Sequence, residues 1–161
     1  MIDMMDFKRL NNLVDRLTEY LGVEKIPFEF SNEINDDSRL LLKPSITIRV
    51  SNKFIDNYYE SAKALVHEYR HWFQLNWVSY MDDNLSKLWG KAFKNAIPLE
   101  NADLLNNIEE STTYAMQDIE IDAFAFTKYY LEKYEGLVVI HPNEQYEDII
   151  KLYITCNLHI M

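Results

Sequence analysis

The chain has 161 residues, 48% of them hydrophobic, and a formal net charge of −10 from 26 acidic and 16 basic side chains. That length suits a single domain over residues 1–161 with a substantial core, and the acidity disfavours binding to nucleic-acid phosphates or an anionic membrane surface. One cysteine, Cys156, excludes an intramolecular disulfide and a cysteine-built zinc site; with no signal-peptide pattern and no membrane-spanning apolar run, a reducing, cytoplasmic setting is expected.

Phe7, Leu10, Leu13, Val14, Leu17 and Leu21 recur at helical spacing, with Asp3 or Asp6 as N-cap and Gly22 as stop, so the chain should open on an amphipathic helix. Pro27-Phe-Glu-Phe30 alternates as a short strand does, residues 31–38 read as a polar loop, and a second strand is expected over Arg39 to Leu42. Ile46, Ile48 and Val50 alternate with Thr47 and Arg49, the clearest strand pattern in the chain. Read as an edge strand, this segment could accept an extended peptide by backbone pairing; it reads equally well as an ordinary sheet strand with no role toward a substrate.

Asn57, with Glu60 three residues later, forms a capping-box pattern for a helix running to about Tyr80. Residues 81–84 break that pattern, and 85–107 read as short helices or an excursion. A second long helical pattern spans about Ile108 to Glu135, with Ala115, Met116, Ile119, Ala123, Phe126 and Tyr130 on one stripe and Gly136 as its stop. Residues 137–140 form an apolar run expected as a strand, followed by a turn at His141 to Asn143 and a terminal helix over about Tyr146 to Cys156.

The helix over 57–80 contains His67, Glu68 and His71 in the spacing H-E-x-x-H. Residues four apart on a helix share a face, so both imidazoles can reach one metal ion, while Glu68 sits at the edge of that face, where a carboxylate can hold the attacking water and take its proton. On the helical wheel, Tyr58, Ala62, Leu65, Tyr69, Trp72, Phe73 and Tyr80 fall on the side roughly opposite His67, while Ala64, Leu75 and Val78 near the histidines show that their side is at least partly covered. The spacing therefore predicts a core on one flank of the helix and a cleft on the other.

A catalytic zinc ion takes three protein ligands and keeps one position open, so a third ligand is needed. The extended motif H-E-x-x-H-x-x-G-x-x-H is excluded, because Gln74 and Trp77 stand where its Gly and third His belong. His141 and His159 are possible ligands, and the later helix offers Asp118, Glu120 and Asp122. Asp118 and Asp122 share a face from which Glu120 is turned away, so a straight helix cannot direct all three at one ion.

Val66-His-Glu-Tyr-Arg-His-Trp-Phe-Gln74 followed by Glu120-Ile-Asp-Ala-Phe-Ala-Phe126 resembles the ImmA/IrrE group of small zincin metallopeptidases and related phage-type peptidases. Their pattern joins H-E-x-x-H to a later helix of the form E-x-[ED]-A-x-x-F. The resemblance implies a zincin-like α+β fold, helix-rich, with a small mixed or antiparallel sheet packed against the H-E-x-x-H helix. It further implies that Glu120 completes a zinc site with His67 and His71.

The expected activity is zinc-dependent peptide hydrolysis with Glu68 as general base and a protein or peptide as substrate. Tyr114, Tyr129 and Arg70 are candidate oxyanion donors, and Asp122 or Asp118 could orient a ligand imidazole. The contrasting expectation is an acidic, zincin-shaped regulatory protein of a mobile element that sequesters a protein partner without cleaving it.

Overall fold

A computed structural model describes residues 3–94 and 118–161. They contain five α-helices and three strands: α1 (Met4–Leu21), β1 (Phe28–Ser31), β2 (Ser38–Leu41), β3 (Thr47–Ser51), α2 (Tyr58–Tyr80), α3 (Asn84–Lys94), α4 (Asp118–Tyr130) and α5 (Glu144–Cys156). The fold class is α+β, helix-rich, with one small mixed sheet. No helix among the described residues is long and apolar enough to cross a membrane. The chain divides into two compact units, Met1–Asn76 and Trp77–Met161.

In the first unit, α1 starts where the Asp3 carboxylate accepts from the Met5 amide and stops at Gly22, whose φ of 66° is the left-handed conformation that glycine adopts without strain. Its apolar stripe is buried at Leu10, Leu13, Val14, Leu17 and Leu21, each contributing roughly 1.5–3 kcal/mol as a fully buried aliphatic side chain. Phe7, at the end of the stripe, is partly exposed and rests against Phe28 of β1.

The sheet runs in the order β1-β3-β2, with β1 parallel and β2 antiparallel to β3. β3 is therefore the central strand, which excludes the edge-strand reading of this segment and agrees with the ordinary sheet strand. Its inward residues, Ile48 and Val50, are completely buried and its backbone groups are shared with two neighbours, as suits a centre rather than an edge. The strand also begins one residue later than its alternation suggests. Ile46 lies beyond the terminal Leu41–Thr47 pair of the ladder and is partly exposed.

The helix α2 spans 23 residues and begins at the expected cap, with the Glu60 amide donating to Asn57 Oδ1 at 3.1 Å. The Tyr69 hydroxyl donates to the Ile26 carbonyl at 2.7 Å and accepts from the Ile26 amide at 3.1 Å. Trp72 Nε1 donates to the Glu24 carbonyl, so two aromatic residues of α2 fasten the segment between α1 and β1. Burial on α2 is broader than a one-sided wheel implies. Ala64, Val66, Glu68, Arg70, His71 and Gln74 are buried as well as Ala62, Leu65 and Tyr69, whereas Tyr80 at the end is exposed.

In the second unit, Asp83 and Ser86 cap α3 reciprocally, the Ser86 amide donating to Asp83 Oδ1 and the Asp83 amide to Ser86 Oγ. The hydrogen bond from the Ser86 amide holds the Asp83 carboxyl below its usual range, against the opposing effect of burial. The helical pattern expected from residue 108 is seen from Asp118 onward; its earlier part, including Ala115 and Met116, lies outside the described residues. α4 ends in one π-helical turn, Leu131–Glu135, closed by Gly136 at φ 66°. Its Ile121 and Ala125 pack with Tyr146 and Ile150 of α5 in one apolar cluster.

Residues 137–140 are not a strand. The backbone of Val139 is occupied by side chains, its amide donating to Glu132 Oε1 and its carbonyl accepting from Lys128 Nζ, so no partner strand is required. The exposure of Val138 and Ile140 agrees with an irregular strap.

Candidate metal centre

The one-turn spacing of His67 and His71 on α2 brings their Nε2 atoms to 3.1 Å, with the rings edge to face at 85°. A tetrahedral ion bonded at about 2.0–2.1 Å would hold two such nitrogens about 3.3 Å apart. Two bare imidazole lone pairs this close repel unless a cation lies between them, so the geometry suits a shared metal or a shared proton. Each of His67, His71 and Glu120 offers one ligand atom within 4.8 Å of the others, His67 half-buried and the other two buried. Among the described residues, this is the group of three that could hold a metal ion. The chemistry of the set, two imidazoles and one carboxylate, fits a divalent cation.

Each of these side chains has a specific support. His71 Nδ1 lies 2.8 Å from Oε1 of the buried Gln74. Glu68 turns away from water and accepts a 2.7 Å hydrogen bond at Oε1 from the Ser38 hydroxyl, the first residue of β2. That bond also links the sheet to the helix carrying the histidines. On α4, Glu120 faces Tyr146, whose phenol pKa is pushed well up, first by burial and second by the Glu120 charge. Asp122, completely buried, accepts from the Tyr153 hydroxyl at 3.1 Å.

The remaining expected ligands are placed elsewhere. Asp118 is exposed at the start of α4 and outside the group. His141 Nδ1 accepts from the Asn143 amide while the ring packs edge-on to Tyr146 and Phe124, making it a residue of the turn before α5. His159 is exposed in the terminal 3₁₀ turn. Of the candidate oxyanion donors, Arg70 is buried with its guanidinium over the Phe73 ring, the Tyr129 hydroxyl accepts from Lys133 Nζ, and Tyr114 lies outside the described residues.

Sequence reasoning missed Ser38, Gln74, Tyr146 and Tyr153. Gln74 had a readable signal: three residues after His71, it shares that residue's helical face. Ser38 is 30 residues from its partner and had none.

No protein-family model, curated protein or solved structure matches this chain.

Proposed function

We propose that the chain is a zinc-dependent metallopeptidase of zincin type, akin to the ImmA/IrrE group and acting on a protein or peptide in the cytoplasm. The observation that carries this reading is the convergence of His67, His71 and Glu120, with Glu68 held one residue away from the first ligand. His67, His71 and Glu120 would hold Zn²⁺, which when bound supplies Lewis-acid activation of a water and polarisation of the scissile carbonyl. Glu68 takes the proton from the attacking water and delivers it to the leaving amine. The Ser38 hydroxyl occupies one oxygen of Glu68, orienting the carboxylate so that the other is available for that transfer. Among the described residues β3 is covered on both sides and β1 and β2 are the two edges of the sheet; of these, β2, whose first residue Ser38 bonds Glu68, is the strand suited to pairing with an extended peptide.

The test is metal analysis of protein purified without added metal, with His67→Ala and Glu120→Ala alongside, and hydrolysis of dye-labelled casein by wild type and Glu68→Gln. Near-stoichiometric zinc is expected in wild type and Glu68→Gln, with strong loss in the two ligand variants and cleavage by Glu68→Gln reduced by about 10²–10⁴-fold. Full zinc retention in both ligand variants would overturn the site, and unchanged cleavage by Glu68→Gln would overturn the general base.

The net charge of −10 favours one other reading, a regulatory protein of a mobile element that sequesters a basic partner. Stoichiometric capture of a partner, equal for wild type and Glu68→Gln and without cleavage, would decide for it.

A further inference from the structure

The structure points to Gln74 as the positioning residue of the metal centre: we propose that its amide oxygen fixes His71 in the Nδ1–H tautomer and thereby presents a bare Nε2 lone pair to the ion. The inference rests on the metal-binding part of the reading above and is independent of what the site cleaves.

Gln74 follows His71 by three residues on one continuous helix, so the backbone sets their separation. Its side chain is completely buried, and its Oε1 lies 2.8 Å from His71 Nδ1. An amide oxygen can only accept, so the ring nitrogen facing it must carry the proton. A neutral imidazole has one N–H; with that proton on Nδ1, Nε2 is left as a lone pair, 3.1 Å from His67 Nε2. In a dry environment a hydrogen bond gains strength and its loss costs more, so the buried amide holds the tautomer better than water would. A residue in this role supports metal binding without touching the metal.

The choice of an amide over a carboxylate also tunes the site. A Glu at this position would accept the same proton and make the imidazole a stronger donor. A Leu of nearly the same volume would leave Nδ1 without this acceptor.

The experiment measures zinc affinity by competition with a chromophoric chelator for wild type, Gln74→Leu and Gln74→Glu. It is joined to the side-chain ¹⁵N spectrum of His71 in metal-free protein at alkaline pH. We expect Gln74→Leu to weaken zinc by about 10–100-fold and Gln74→Glu to bind at least as tightly as wild type. Metal-free wild type should show a pyrrole-like Nδ1 and a pyridine-like Nε2. Unchanged zinc affinity in folded Gln74→Leu, or a wild-type His71 protonated on Nε2, would overturn the proposal. If Gln74→Leu fails to fold, the wild-type tautomer and the Gln74→Glu affinity decide the matter. Failure of wild type to bind zinc would sink the metal-centre reading itself, whereas the tautomer is read without metal and judges Gln74 separately.

Discussion

Glu68 and Glu147 are buried to almost the same extent, 5% and 6% exposed, yet their surroundings differ in kind. Glu147 on α5 is neutralised: Lys128 Nζ lies 2.8 Å from its Oε1, Lys151 lies farther off, and its Oε2 accepts from the His141 amide. Burial alone would raise the Glu147 pKa, but Lys128 and the His141 amide together hold it below its usual range. Glu68 is held by an uncharged hydroxyl, which orients the carboxylate without cancelling its charge. A buried acid matched to a cation acts as a strut, whereas one oriented by a neutral donor keeps its charge for a proton or a nearby cation. The first arrangement joins the end of α4 to α5; the second sits beside the histidines.

The largest test of this contrast is to remove each charge. Glu68→Gln keeps the acceptor for Ser38, so stability should hardly move while turnover on the casein probe falls by about 10²–10⁴-fold. The reverse is expected for Glu147→Gln. Turnover should be retained, but among the described residues Lys128 keeps Glu132 alone as an ionic partner, and urea unfolding should show a loss of about 2–3 kcal/mol. Comparable stability losses in the two variants would break the distinction.

A smaller effect is expected from pH. The folded-state pKa of Glu147 lies below its unfolded value, so its contribution is fully present above the ordinary carboxylate range of about 4 and is lost as pH falls through the lower native value. Wild-type Tm should therefore drop on the acid side more steeply than that of Glu147→Gln; parallel acid limbs would show that the strut does not contribute. The smallest effect is expected from Ser38→Ala. Loss of one hydrogen bond to a buried carboxylate should cost about 1–2 kcal/mol in urea unfolding and about tenfold in kcat, with zinc content intact and Ser38→Thr restoring function. An unchanged kcat would show that the hydroxyl does not orient the base.

Periodicity makes much of this architecture readable in the sequence. The stripe from Leu10 to Leu21, the alternation of Ile48 and Val50 and the cap at Asn57 each reflect a rule acting over a few residues, and each element is observed. What escaped depends on pairings distant in sequence. The central place of β3 follows from β1 and β2 aligning on either side of it, and the pattern within β3 does not encode that order. The apolar run at 137–140 resembles a strand, but its backbone is claimed by Lys128 and Glu132, residues chosen by the end of α4. At the site, the shared face of His67 and His71 was visible from spacing, and the resemblance indicated Glu120. Gln74 was noticed only as a glycine that was missing.

The pair of hydrogen bonds between Tyr69 and Ile26 has a dynamic consequence. Ile26 belongs to no strand, so its amide would ordinarily trade its hydrogen with solvent rapidly. A buried phenol caps both its N–H and its C=O, and burial lifts the Tyr69 pKa to about 12, so the donated proton persists far into alkali. The amide of this coil residue should therefore exchange with deuterium as slowly as those of the β3 ladder, reporting on when α2 lets go of the chain that precedes the sheet.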